Sequence, residues 1–153
     1  MADEFLETMA DKFIFKVKKG FLYSPEDCWV AIKDDRAEIG ITDFLQKLSG
    51  DAVFVETLET GHSIRQGTPM GQVETIKLNQ ELIAPVSGVI EEVNKDLSEK
   101  PELINEDPFG KGWIYKVKVE KVAEATKNLL NDEAYFELMK AKIKGELDRI
   151  GGK

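Results

Sequence analysis

Between residues 71 and 90 two β-favouring runs bracket one lysine. The first is Gly71-Gln72-Val73-Glu74-Thr75-Ile76; the second begins at Glu81 and reaches Ile90 through the turn Pro85-Val86-Ser87-Gly88. Short strands so arranged predict a hairpin with Lys77 at its tip. Ile76 and Leu78 flank that lysine. Bulky apolar residues at a solvent-facing tip have no core to fill, which points to recognition of the tip by another molecule. Gly61, before the hairpin, and Gly88, after the lysine, stand in turn settings where a positive φ would favour glycine. The two halves read as a loose quasi-repeat folded around Lys77. This is how a lysine would be offered for covalent attachment of a carrier group. The alternative is an ordinary solvated lysine, one of 21 basic residues.

Composition narrows the chemistry further. Cys28 is the only cysteine and His62 the only histidine. An internal disulfide, a cysteine zinc cluster, a multi-histidine metal site and a Ser-His-Asp triad are therefore excluded. What remains is chiefly a lysine and whatever it carries, so a non-catalytic carrier is expected and its partners supply catalysis. The net charge of −8 argues against nucleic acid, which requires a basic surplus. Surplus acid suits partners with basic docking faces, or serves solubility alone. No segment approaches the ~20 apolar residues of a membrane span, and the N-terminus lacks a basic region followed by an apolar run. A cytoplasmic protein without membrane contact is expected.

The 153 residues divide by pattern into a leader at 1–12, a β domain at 13–121 and a helical extension at 122–153. In the leader, Phe5, Leu6 and Met9 fall at helical spacing and predict a turn or two of peripheral helix. Strands are predicted at 13–17, 28–33 and 36–41, the last two joined by the Asp34-Asp35 turn. Thr42-Asp43 is a helix cap ahead of 44–48, Ser49-Gly50-Asp51 a stop, and 52–56 a strong strand. Residues 95–100 read as a loop or short helix, and 113–119 as the last strand, with period-two alternation. Beyond residue 122, Leu129, Phe136, Ile143 and Ile150 recur every seven residues, with Leu130, Met139 and Leu147 beside them. They predict a short helix ending near 130 and a longer one at 133–150, capped by Asn131-Asp132 and weakened by Gly145.

The chain resembles the glycine cleavage system H protein family. The matching residues are Trp29-Val30, Gly40-Ile41-Thr42-Asp43-Phe44, Gly50-Asp51-Ala52-Val53-Phe54-Val55-Glu56, Val73-Glu74-Thr75-Ile76-Lys77, Pro85-Val86-Ser87-Gly88 and the run from Pro101 through Asn105-Glu106-Asp107-Pro108-Phe109-Gly110 to Trp113. Biotin carriers usually show Met-Lys-Met, and lipoyl domains of 2-oxoacid dehydrogenases Asp-Lys-Ala, where this chain has Ile76-Lys77-Leu78. The resemblance implies a mostly β fold with C-terminal helices, a lipoyl/biotinyl-type barrel-sandwich hybrid of two quasi-repeated antiparallel sheets. It implies lipoic acid on Lys77, with Glu74 and Gly61 recognised by a lipoate ligase or lipoyltransferase. It further implies a monomer that shuttles an aminomethyl group between glycine decarboxylase, aminomethyltransferase and dihydrolipoamide dehydrogenase.

Two positions depart from the pattern. Many members read Glu-His-Glu-Trp where this chain has Glu26-Asp27-Cys28-Trp29, which puts Asp27, a candidate for the arm pocket, in place of histidine. Cys28 reads either as a small buried hydrophobe or as a thiol exchanging with the lipoyl disulfide. Two other functions stay open. One is an H-like lipoate-binding protein of another pathway, such as sulfur oxidation with heterodisulfide-reductase-like enzymes or a lipoyl relay. The other is an unmodified interaction protein of the same fold.

Overall fold

The computed structural model describes the backbone of residues 4–151 and side chains through residue 146. Leu147 and Ile150 of the expected helical stripe, and the first three residues of the leader, lie outside the described side chains and residues. The strands are β1 (Phe5–Ala10), β2 (Phe13–Lys18), β3 (Leu22–Tyr23), β4 (Cys28–Lys33), β5 (Arg36–Ile41), β6 (Ala52–Thr57), β7 (Ser63–Ile64), β8 (Pro69–Thr75), β9 (Asn79–Ile83), β10 (Gly88–Val93) and β11 (Tyr115–Val119). The helices are α1 (Asp43–Ser49), α2 (Leu103–Glu106), α3 (Val122–Lys127) and α4 (Asp132–Gly151), with a 3-10 turn at Lys95–Ser98.

The strands form a six-stranded sheet in the order β3-β4-β5-β11-β10-β7, a three-stranded sheet in the order β6-β8-β9, and a separate β1-β2 hairpin. The architecture is mostly β with C-terminal helices, a barrel-sandwich of the lipoyl type. Alternation sends Val30, Ile39, Ile90 and Val117 from the larger sheet, and Val55, Met70, Val73 and Leu82 from the smaller, into one core. The Tyr115 hydroxyl ties the two sheets together. It donates to the Met70 carbonyl at 2.6 Å and accepts from the Leu58 amide at 2.8 Å. Burial pushes its pKa up to about 12.

A second core lies outside this sandwich. Phe15 and Val17 of β2, Tyr23, Trp29, Phe44, and Tyr135, Met139 and Ile143 of α4 build it. Phe21 stacks on Trp29 at 4.9 Å and Tyr23 on Tyr135 at 4.6 Å. The Trp29 indole donates to the Pro108 carbonyl at 2.8 Å, so the Asp107-Pro108-Phe109 segment closes over this core. Tyr23 and Leu130 exchange backbone hydrogen bonds at 2.8 and 2.7 Å, which fastens the chain just ahead of α4 to the edge of the large sheet.

The leader differs from its expected form. Residues 5–10 are a strand, not a helical turn, and pair antiparallel with β2 from Phe5↔Lys18 to Ala10↔Phe13. Asp11, at φ 55, makes the turn between them. Leu6 and Ala10 pack against the second core, so the segment is not peripheral. The long helix begins at Asp132, where the Asn131 side chain accepts from the Ala134 amide at 2.8 Å. Its buried face runs through Met139 and Ile143, as expected, but Tyr135 takes the place expected for Phe136, which is only half-buried.

Candidate functional site

Lys77 sits between β8 and β9 at an exposed tip, with Ile76 72% and Leu78 41% exposed on either side. The tip is held by one threonine. Thr75 Oγ1 accepts from the amides of Lys77 at 3.1 Å and Leu78 at 3.0 Å, and donates to the Ser49 carbonyl at 2.7 Å. The Thr75 amide also donates to the Leu78 carbonyl at 2.8 Å, which closes the turn. Ile76 reaches across to the Asp51 carbonyl, so the tip rests on the α1–β6 connection.

That connection is itself pinned. Thr42 Oγ1 caps α1 by accepting from the Leu45 amide at 3.2 Å. Gly50 ends the helix at φ +93, a conformation that glycine adopts without strain. The methylene stem of Lys77 lies over it: a Cβ at position 50 would come within 2.9 Å of Lys77 Cε. Asn105 locks the turn by donating to the Gly50 carbonyl and to Gln46 Oε1, both at 3.0 Å, and accepting from the Ala52 amide at 2.8 Å. The Asn-Glu-Asp-Pro-Phe-Gly run thus serves the lysine tip from a distance.

Beside Lys77 lies an apolar groove of about 210 Å³. Phe13 and Phe15 of β2, Phe44 and Leu48 of α1 and Ile143 of α4 line it, together with Ala10, Asp11, Lys47, Glu146 and the lysine itself. Asp43 fixes the walls. Its carboxylate accepts from the Lys16 amide, Gln46 Nε2 and Lys47 Nζ, each at 2.9 Å. Lys47 also donates to the Ile14 carbonyl. The hairpin and α1 are therefore joined through one buried carboxylate.

The other residues singled out in the sequence are distributed around this tip. Glu74 is half-buried on β8, opposite Phe54 and Asn79. Gly61 has φ +95 in the turn entering β7, and its amide donates to the Ile90 carbonyl at 2.8 Å. It belongs with the six-stranded sheet, whereas Lys77 and Glu74 belong to the three-stranded one. Gly88 is not a positive-φ turn residue; it opens β10, and a Cβ there would meet the Lys118 carbonyl at 2.1 Å.

Asp27 does not line the groove. It is buried at φ +74, accepts from the Tyr135 hydroxyl at 2.7 Å, and pairs with Lys142 Nζ at 2.9 Å. The Tyr135 hydroxyl also lies 3.0 Å from Thr42 Oγ1. Burial, and then the adjacent Asp27 charge, hold the Tyr135 phenol well above its usual pKa. Cys28 is fully buried, and burial followed by the carboxylates of Asp27 and Glu26 pushes its thiol up. A thiol so protonated is a packing group, not a nucleophile for disulfide exchange. No cluster among the described residues offers three metal-ligating His, Cys, Asp or Glu side chains.

Thr75, Asn105 and Tyr135 escape sequence reasoning as site residues. Thr75 ahead of the lysine carries the signal of a hydroxyl-closed turn. The other two act across more than fifty residues of sequence and carry no local signal.

With this geometry in view, the relatives are informative. Residues 21–142 match the model of the glycine cleavage H-protein family. A probable glycine cleavage system H protein of Aeropyrum pernix is 41% identical over 137 residues, covering 90% of this chain and 95% of that protein. A glycine cleavage system H protein of Carboxydothermus hydrogenoformans is 45% identical over 123 residues, covering 80% and 94%. The crystal structure of a glycine cleavage system H protein from Mycobacterium marinum superimposes with a TM-score of 0.72 at 34% identity, covering 78% of this chain and 95% of that one. The chain belongs to the glycine cleavage H-protein family, a family of carrier proteins. The β1-β2 hairpin and the end of α4, which supply six of the ten groove-lining residues, lie outside the matched segment.

Proposed function

We propose that Lys77 carries a lipoyl group through an amide on its ε-nitrogen, and that the protein presents this arm in turn to a glycine decarboxylase, an aminomethyltransferase and a dihydrolipoamide dehydrogenase. The observation that carries the reading is an exposed lysine at a hairpin tip, held from behind by Thr75 and Asn105 and flanked by an apolar groove. A lipoyl group, when attached, supplies a dithiolane that accepts the aminomethyl group and is later reoxidised.

This chain's own part is positioning. Thr75 fixes the backbone from which the arm extends, so the sulfur ring sweeps a defined volume and meets each enzyme at a high effective concentration. Phe13, Phe15, Phe44 and Leu48 offer an apolar surface for the aliphatic part of the arm and keep water from it. Glu74, three residues before the lysine, and the Gly61 turn are the features a lipoate ligase or lipoyltransferase would read. No helix among the described residues is long and apolar enough to cross a membrane, and we place the protein in the cytoplasm.

The test is reconstitution with partners. Lipoylated protein mixed with the glycine decarboxylase of its own organism is expected to support exchange of bicarbonate into the glycine carboxyl, and unmodified protein is not. Full lipoylation with no exchange would transfer the reading to a carrier serving another lipoate-dependent pathway.

A further inference from the structure

The two halves of α4 are held by different means. Residues 132–139 are fixed by apolar burial, with Tyr135 and Met139 fully covered and the Tyr135 ring stacked on Tyr23 at 11°. Beyond Met139, Ile143 is the buried apolar side chain among the described residues. That stretch also holds Gly145, which faces open space, and glycine lowers helix stability relative to alanine. Lys142 also ties it down, paired with Asp27 and donating to the Pro25 carbonyl. Ile143 and Glu146, just past this pair, form one wall of the Lys77 groove.

We propose that the distal half of α4 is a lid on the Lys77 groove, latched by the Lys142–Asp27 ion pair, and that these two positioning residues set how long a group carried on Lys77 stays sheltered from water. The inference rests on the reading of Lys77 as the carrier lysine.

Asp27 is the rigid side of the latch. Its amide donates to the Ser24 carbonyl at 3.1 Å, its carbonyl accepts from the Thr42 amide at 3.0 Å, and its carboxylate accepts from Tyr135. Lys142 is the mobile side, with its side chain 31% exposed, so water competes for its ammonium. Release breaks this pair and uncovers Ile143 while Tyr135 and Met139 stay seated. A local opening of this kind requires far less free energy than global unfolding. It would draw Ile143 and Glu146 away from Phe13 and Phe44 and open the groove from the α4 side. The opposite wall stays in place, because Asp43 holds the hairpin through the Lys16 amide.

Two measurements on the full chain test this. In unmodified protein, Lys142→Met is expected to speed backbone hydrogen exchange at residues 140–146 by about threefold to fivefold, the factor a partly exposed ion pair is worth. Residues 133–139 should keep the parent's rates, and Lys142→Arg should behave as the parent. Equal exchange in Lys142→Met and the parent would overturn the latch. In lipoylated protein, reduction of the arm's disulfide by a water-soluble phosphine should accelerate by the same factor in Lys142→Met and not in Lys142→Arg. Faster exchange with an unchanged phosphine rate would overturn the lid. Failure of the carrier reading would show separately, as protein that no lipoyl-attaching enzyme modifies, because the exchange measurement needs no arm.

Discussion

The two cores of this molecule are built from different materials by different parts of the chain. The core between the sheets is mainly aliphatic and draws on strands that alternate along 28–119. The outer core is mainly aromatic and is assembled from a hairpin near the N-terminus, Trp29, Phe44 and a C-terminal helix. The first makes the barrel that the family shares. The second closes one side of the groove beside Lys77, so a hairpin, a short helix and a long helix far apart in sequence meet there.

The strongest way to break this comparison is to cut one residue from each core. Ile90→Ala and Met139→Ala should each cost about 2–5 kcal/mol, but in different patterns. Ile90→Ala should lower the single transition of the barrel, read by far-ultraviolet circular dichroism. Met139→Ala should loosen α4 and the hairpin first, seen as tryptophan fluorescence changing ahead of sheet loss, because Trp29 lies in the outer core. Coincident transitions in both variants would show that the cores are one cooperative unit.

Alkaline titration sharpens the contrast next. Burial raises the pKa values of Tyr23, Tyr115 and Tyr135 above the usual 10. A phenol whose folded pKa is raised contributes its full stability below pH 10 and loses it as pH climbs toward the folded value. Each such tyrosine weakens the fold by about 1.4 kcal/mol per pH unit in that window. Urea midpoints should therefore begin to fall near pH 9, where the buried Cys28 thiol starts to contribute, and fall more steeply above pH 10 as the tyrosines add to it. Tyr115→Phe should reduce the slope; an undiminished slope would exclude its phenol as a contributor.

Tyr135→Phe is smaller in effect. It removes the hydroxyl that Asp27 accepts while keeping the ring on Tyr23, and should cost about 1–3 kcal/mol in chemical denaturation. An unchanged midpoint would mean that Lys142 alone satisfies Asp27. Smallest is Glu74→Ala, a half-buried strand-end carboxylate whose loss should shift stability by no more than about 0.5 kcal/mol while slowing attachment of lipoate by a ligase. Equal attachment rates would remove Glu74 from recognition.

The same division explains what the sequence reveals. Strands 28–33 and 36–41 are legible because alternation and an Asp-Asp turn are local signals, and the turn forms with Asp34 at φ 57. The Thr42 cap and the Gly50 stop are legible for the same reason. Residues 5–10 are not, because Phe5, Leu6 and Met9 suit either period and only pairing with 13–18 decides. Leu22–Tyr23 and Ser63–Ile64 are too short to show any period. On α4 the seven-residue recurrence marks Phe136, whereas the buried face is set by Tyr135, whose hydroxyl finds Asp27 108 residues away. The hairpin tip at Lys77 is fully local and legible. Its support from Asn105 and its groove from β2 and α4 are tertiary, and no short window contains them.

The most direct test of the account is the intact mass of the full chain isolated from its own organism, beside Lys77→Arg expressed there in the same way. The account predicts a lipoyl mass increment on the parent, localised by peptide mapping to Lys77, and none on Lys77→Arg. A parent with no increment, or an increment that survives in Lys77→Arg, would contradict it.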